Sequence, residues 1–354
     1  MRWHFPRKPV TEWKGDTRTQ GSPVSDGART VLITGGNAGL GFQCALRVLG
    51  ADERYHVVIA CRSEARARAA LDKLLKAVPG STSTRMGFVP LDLSSLASTR
   101  ACATRITTLL DAGEIPPLGA IVCNAGVQPM GTTPMTADGM ELTFQTNHLG
   151  HFLLVNLLVG RLARGGRIVL VSSDTHDPSK KTGMPAPVYT TAEDLAHPQQ
   201  SPSKMAVLDG RHRYTISKLC NVYCMYELAA RASTRAGRPG SGLADGITVN
   251  AFNPCMMPGT GLARDYSPLL QWGWEHLLPL LTLVRSDIRT PEQSGCALAR
   301  LVCDSSLAQT SGRYFDGMDA IDTSPLSHDE DNRRDLWETS VRLSGLGVGE
   351  SPLL

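Results

Sequence analysis

The sequence predicts an α/β fold in which a doubly wound parallel sheet carries helices on both faces, and three observations support that expectation. Short β-branched apolar runs recur along the chain. Stretches with helical composition alternate with them, and a glycine-rich turn follows the first run directly. Strands that read as unbroken apolar runs are those buried on both faces, which is the condition of a parallel sheet.

The first run is Thr30–Ile33, ended by the turn Thr34–Gly41 and followed by a helical stretch at 40–50. The strand His56–Cys61 comes next. Residues 64–78 then read as a helix because Ala, Leu, Lys and Arg dominate them. Further strands are expected at Met86–Leu91, Leu118–Cys123, Arg167–Val171 and Gly246–Asn250, with helical patterns at 95–110, 137–162 and 211–236. No internal repeat interrupts the alternation. It divides the chain into a polar arm over 1–28, one domain over 29–325 and a C-terminal helix and tail over 326–354. The arm reads as flexible, or else as a targeting segment.

Composition narrows the class without naming it. The chain has 354 residues, 42% hydrophobic and 19% charged, enough to bury a core without staples. Lys and Arg total 36 against 33 Asp and Glu, and the first 30 residues hold that excess, with six basic residues and three acids. The body is therefore balanced, which argues against a nucleic-acid-binding surface. Nine cysteines lie scattered, with no CxxC pair and no zinc-type spacing. That suits reduced thiols packed in a core and a reducing, cytoplasmic setting. No uninterrupted apolar run reaches the ~20 residues of a bilayer span, and the N-terminus lacks the apolar region of a secretory signal.

The turn Thr34-Gly35-Gly36-Asn37-Ala38-Gly39-Leu40-Gly41 carries the first chemical signal, with TGxxxGxG spacing. Glycines there let the backbone turn tightly and approach a pyrophosphate, whose charge then faces a helix N-terminus. At the end of the second strand, a carboxylate would select NAD through the ribose 2′-hydroxyl. The chain instead reads Ala60-Cys61-Arg62-Ser63, and the planar donors of Arg62 suit a 2′-phosphate, so NADP(H) is the expected cofactor. Asn124-Ala125-Gly126, after the fourth strand, makes a small-residue turn that would border it.

Tyr214 and Lys218 stand four residues apart, on one face of a helix. An ammonium beside a phenol stabilises the phenolate and makes the tyrosine usable as an acid–base near neutral pH. Ser173, just past the fifth strand, can hydrogen-bond a substrate oxygen. Asn147 can hold a water that relays protons to the lysine.

Together these residues resemble the short-chain dehydrogenase/reductase family over most of residues 29–345. The resemblance implies a seven-stranded Rossmann sheet in the order 3-2-1-4-5-6-7 and the tetrad Asn147, Ser173, Tyr214 and Lys218. In that family the tyrosine exchanges a proton with the substrate oxygen, the nicotinamide exchanges a hydride, and the lysine also contacts the nicotinamide ribose. The resemblance further implies Asp92 and Leu93 near adenine and Pro254 near the nicotinamide.

Ala60-Cys61-Arg62, Asn147–Phe152, Ser311–Phe315 and Leu336-Trp337-Glu338 look like the branch of retinol dehydrogenases and light-dependent protochlorophyllide reductases. That implies carbonyl–alcohol interconversion on a bulky, fairly apolar substrate. Reduction of a conjugated C=C bond is the alternative within the class, and a catalytically idle NADP-binding module the alternative outside it. The chain departs from the branch in two ways. It shows no membrane anchor, and it has Pro254-Cys255-Met256 where the protochlorophyllide enzymes read PGC.

Forty residues separate Ser173 from Tyr214, and the proline-rich segment 174–213 is expected to act as a substrate-side lid. By analogy with carbonyl reductases it could also cover the usual dimer face, leaving a monomer in place of a homodimer. Residues 256–288 are the expected substrate-binding helices, with Met256 and Met257 as adaptable apolar contacts. Within them, Leu269–Val284 reads as pocket wall, as core or as a weak membrane-surface contact. His148 and His176 read as packing and loop residues before substrate contacts.

Overall fold

The computed structural model describes residues 27–129, 134–198, 210–235, 240, 242–257 and 288–354. The N-terminal arm up to residue 26, residues 199–209 of the expected lid and the stretch 258–287, which contains Leu269–Val284, lie outside the described residues.

Eight strands form one sheet in the order β3-β2-β1-β4-β5-β6-β7-β8. They are β1 (Arg29–Thr34), β2 (Tyr55–Cys61), β3 (Met86–Pro90), β4 (Leu118–Cys123), β5 (Leu162–Val171), β6 (Thr248–Asn253), β7 (Arg313–Asp316) and β8 (Asp319–Ile321). Neighbouring pairs through β7 are parallel, and β8 adds an antiparallel edge to the expected seven-stranded order. Only three residues long and with no buried residue, β8 gives no apolar run to read. β6 starts two residues later than expected, because Gly246 adopts φ +72° and belongs to the turn.

Apolar burial explains the layers. α1 (Gly39–Ala51), α2 (Glu64–Ala77) and α6 (Pro291–Cys303) cover one face, where Val31, Ile33, Val57, Ile59 and Phe252 pack with Val48, Leu74 and Leu298. α1 and α6 come so close that a Cβ on Gly295 would lie 2.3 Å from that of Gln43. On the other face lie α3 (Leu96–Asp111), α4 (Gly150–Leu158) and α5 (Gly210–Arg235), over Leu32, Val58, Ile121, Ile168 and Leu170.

α4 continues from a helical turn at Leu142–Phe144 through a π-helical turn at Gln145–Leu149. α7 (Glu330–Leu343) then lies against α4 and α5. Trp337 packs edge-on against Phe152 with centroids 5.0 Å apart, and the Arg231 guanidinium sits 4.1 Å above the Trp337 ring. Part of the long insertion packs here too. Ala192 and Ala196 of a short helix (Ala192–Ala196) are fully buried, and Asp335 of α7 accepts from Tyr189 Oη at 2.6 Å and from the Ala192 amide at 2.8 Å.

Candidate active site

The glycine-rich turn joins β1 to α1 at the C-terminal edge of the sheet. Gly35 adopts φ +65°, and a Cβ there would lie 3.1 Å from Ala125 Cα. Gly41 is tighter still, since its Cβ would lie 2.6 Å from Asn124 Nδ2 and 2.7 Å from the Gly35 carbonyl oxygen. Only glycine allows the β1 and β4 turns to nest in this way. α1 has Ala38 at its N-cap, with no side-chain cap and no acidic residue in its first turn, which leaves its amides and positive dipole end to an anion.

Thr34 locks the two turns together. Its Oγ1 accepts from the Asn124 and Ala125 amides, both at 2.9 Å, and lies 2.8 Å from His151 Nε2. The other ring nitrogen of His151 is 3.1 Å from the Asn147 carbonyl, which can only accept. Nδ1 therefore carries the proton, and Nε2 accepts from the Thr34 hydroxyl. Burial lowers the His151 pKa to about 4, which keeps that neutral form.

An open cleft of about 1380 Å³ runs along this edge. Of the residues expected from the sequence to bind cofactor, all but Gly41 line it: Gly35, Asn37, Ala38, Gly39, Leu40, Arg62, Ser63, Asp92, Leu93, Asn124, Ala125, Gly126, Tyr214, Lys218 and Pro254. Gly41 packs behind the turn. Met257 lines the cleft and Met256 does not; the latter pairs through its backbone with the Ile288–Arg289 segment.

At one end of the cleft, Arg62 is joined by Arg66, which sequence reasoning missed. Ser63 caps α2 by accepting from the Arg66 amide at 3.3 Å, which fixes the first helical turn that carries Arg66. The capping serine was the available signal. Val127, Thr146, Val171 and Ser172 also line the cleft, none of them among the expected site residues.

At the other end, α5 presents Tyr214 and Lys218, with Nζ 5.3 Å from the phenol ring centre. Lys218 is buried and donates to the Val171 carbonyl at 3.1 Å, and burial lowers its pKa to about 8. The Val171 carbonyl also accepts from Asn221 Nδ2 at 3.1 Å, while Ser172 Oγ donates to the Lys218 carbonyl at 2.8 Å. The helix is thus tied to the end of β5 at three points.

Asn147 and Ser173 stand just outside the cleft lining. Asn147 lies within the π-helical turn. Its Oδ1 accepts from the Val127 amide at 2.8 Å, and its Nδ2 donates to the Val127 carbonyl and to Ser217 Oγ, each at 3.0 Å. Ser217 in turn donates to the Tyr214 carbonyl at 2.7 Å. The Asn147 side chain, expected to hold a water, is committed instead to bracing Val127 and Ser217.

Ser173 Oγ donates to Asp174 Oδ1 at 3.0 Å and accepts from the Thr175 amide at 3.3 Å. His148 is buried against Phe144 and Phe152 with Nε2 2.9 Å from Ser340 Oγ, and burial lowers its pKa to about 3. Cys255 has φ +61° and its thiol donates to Asp316 Oδ1 at 3.0 Å; burial and that carboxylate push its pKa up. Among the described residues, no group of His, Cys, Asp and Glu could hold a metal, and no helix is long and apolar enough to cross a membrane.

Comparison with known proteins agrees with this geometry. Residues 29–192 match the family model described as short chain dehydrogenase. Human WW domain-containing oxidoreductase is 31% identical over 353 residues, covering 96% of this chain and 74% of that protein. Mouse retinol dehydrogenase 14 is 34% identical over 337 residues, covering 92% of this chain and 89% of its own length. Among solved structures, a blue fluorescent protein from a metagenomic library, in complex with NADPH, superposes with TM-score 0.56. It shares 18% identity and covers 82% of this chain and 96% of its own, a likeness of fold.

Proposed function

The chain belongs to the short-chain dehydrogenase family, and from that premise we propose that it is an NADP(H)-dependent oxidoreductase interconverting a carbonyl and an alcohol on a bulky, fairly apolar substrate, with Tyr214 as general acid/base. One observation carries this reading. A buried lysine and a tyrosine share one helix face at one end of a long cleft, and two arginines stand at the other.

The residues present fit the dinucleotide. Gly35 and Gly41 clear the space that side chains would fill, and the uncapped start of α1 offers amides to a pyrophosphate. Arg62 and Arg66 supply two guanidiniums for a 2′-phosphate, a demand NAD does not make. Asp92 and Leu93 would meet the adenine, while Asn124–Gly126 and Pro254 would flank the nicotinamide half. When bound, NADPH supplies the reducing equivalent for the carbonyl carbon.

The chain's own residues would handle the proton. Tyr214 Oη donates it to the carbonyl oxygen as that oxygen gains charge. The Lys218 ammonium stabilises the phenolate left behind, and it does so strongly because it is buried. Ser173 Oγ turns from Asp174 to hold the substrate oxygen. The Asn147 amide fixes the Val127 loop and, through Ser217, the first turns of α5. The likeness to retinol dehydrogenase 14 supports an apolar aldehyde or alcohol as the substrate class, and Met257 on the cleft wall suits one.

The test follows NADPH oxidation in the dark with all-trans-retinal, decanal and bulky aryl ketones as probes, and with Tyr214→Phe beside the wild type. Turnover of at least one probe is expected, with Tyr214→Phe binding NADPH normally and turning over none. Activity surviving in Tyr214→Phe would refute the mechanism.

A further inference from the structure

The geometry points to His176 as a positioning residue that holds Ser173 in place for the reaction, acting as a neutral imidazole with its proton on Nδ1. This rests on the reading of Ser173 as the residue that holds the substrate oxygen.

β5 ends at Val171, so Ser173 stands two residues beyond the sheet, in extended backbone with φ −164° and ψ 152°. No ladder hydrogen bond fixes it there. His176 takes over that task. Its ring Nδ1 lies 2.7 Å from the Ser173 carbonyl oxygen, and its own amide donates to the same oxygen at 3.2 Å. A carbonyl only accepts, so Nδ1 carries the proton.

The far side of the ring is fixed with equal definition. The Ser324 amide, which only donates, points at Nε2 from 3.2 Å. A proton on Nε2 would face an N–H, so the doubly protonated ring does not fit between these two partners. The Ser324 segment is itself anchored to α5, through Tyr223 Oη donating to the Leu326 carbonyl at 2.9 Å and Tyr226 Oη paired with Thr323 Oγ1 at 2.7 Å. The imidazole packs against the Tyr314 ring of β7, tilted by 49° with centroids 4.8 Å apart. His176 is 1% exposed, so water cannot replace these contacts.

The ring thus links the backbone of Ser173 to β7 and to the segment that α5 carries, the same helix that carries Tyr214 and Lys218. A link of this kind acts on the alignment of the serine with the tyrosine, and leaves the cofactor end of the cleft untouched. Removing it should lower kcat more than it raises KM, because misalignment is felt in the transition state.

The experiment is a double-mutant cycle with NADPH and whichever probe carbonyl the wild type reduces, comparing His176→Ala, Ser173→Ala and the double variant, with His176→Asn and His176→Gln beside them. Ser173→Ala should lower kcat, and so should His176→Ala, by ~10–100-fold, with NADPH affinity by fluorescence within about twofold of wild type. In the Ser173→Ala background, His176→Ala should cost nothing further. His176→Asn keeps a donor near the Nδ1 position and should regain most of the rate. His176→Gln reaches instead toward Ser324 and should not.

A loss of equal size in both serine backgrounds would overturn the proposal. Should the alanine variant fail to fold, the Asn and Gln variants carry the test, and equal rates for the two would overturn it. Ser173→Ala turning over like wild type is a different failure, because it removes the serine assignment on which the proposal rests.

Discussion

The buried Lys218 makes the proposed chemistry costly for the fold, and that cost can be measured. The side chain is buried at the cleft wall, and burial takes its pKa from 10.5 to about 8. At about 1.4 kcal/mol per pH unit, holding the ammonium inside costs the folded state about 3 kcal/mol at neutral pH. Lys218→Met keeps the length of the side chain and removes the charge. It also removes the hydrogen bond to the Val171 carbonyl, but that oxygen retains Asn221 Nδ2 at 3.1 Å and is not orphaned. Subtracting about 1 kcal/mol for the lost bond leaves the variant about 2 kcal/mol more stable than wild type at pH 7. It should nevertheless be inactive.

The sign of the pH dependence follows from linkage. Between pH 8 and 10.5 the unfolded lysine binds a proton that the folded one has released, so wild-type stability rises with pH across that window. Below pH 8 both states are charged and the penalty is complete; above 10.5 both are neutral and it is gone. Urea unfolding of the two proteins at pH 7, 9 and 10.5 should therefore show the variant's advantage shrinking toward zero or reversing. Other titrating groups cancel in the difference. A variant less stable than wild type at pH 7, or a difference that ignores pH, would refute the picture of Lys218 as a buried ammonium.

Arg62→Ala and Arg66→Ala should each weaken NADPH by ~10-fold or more while leaving NADH unchanged, as loss of a charge-assisted hydrogen bond to a 2′-phosphate requires; equal losses for both cofactors in fluorescence titrations would remove that assignment. His56, His148 and His151 are buried and held neutral, with pKa values lowered to about 4, 3 and 4. Their contribution to stability should be complete above pH 6.5 and fall as pH drops toward 4, by about 1.4 kcal/mol per pH unit for each histidine, and a flat denaturation profile across that range would show the rings already protonated in the fold. The insertion expected to cover a dimer face packs Tyr189 and Ala192 onto Asp335 of α7, so sedimentation equilibrium at micromolar concentration should give a monomer, and a dimer would show that pairing uses another surface.

The half of the cleft proposed to hold the cofactor was legible in the sequence as a cluster of residues, because its geometry leaves few residue choices. A turn in which Gly41 must clear Asn124 Nδ2 can be read from glycine spacing alone. The Tyr214–Lys218 pair was legible because helical periodicity fixes which residues share a face. Contacts that join distant parts of the chain were not legible. Nothing local in Thr34 announces that it binds His151, and His176 meets Ser324 across 148 residues. Arg66 was missed although the start of α2 was read correctly at residue 64, because only the fold shows that the first turn of that helix borders the cleft.

The four residues of the expected tetrad are not equivalent in this structure, and the difference has a physical basis. Tyr214 and Lys218 face the cleft because they are carried on a long helix whose register the β5 end fixes at Val171 and Ser172. Asn147 works one step back: its amide satisfies both polar groups of Val127, so the loop bordering the cleft keeps its shape without a strand to hold it. That arrangement needs the π-helical turn, since the widened turn at Gln145–Leu149 is where Asn147 reaches sideways to Val127 and Ser217. His151, one turn later, holds the Asn147 carbonyl from behind and passes the constraint to Thr34 and the glycine turn. The glycine-turn end and the Tyr214 end of the cleft are therefore joined by a chain of hydrogen bonds, from Thr34 through His151 to the Asn147 main chain, and from the Asn147 side chain through Ser217 to the Tyr214 carbonyl. In it each donor meets an acceptor: the Thr34 hydroxyl gives to His151 Nε2, His151 Nδ1 to the Asn147 carbonyl, Asn147 Nδ2 to Ser217 Oγ, and Ser217 Oγ to the Tyr214 carbonyl. A chain defined in this way resists reorganisation, which is the property electrostatic stabilisation of a developing oxyanion requires.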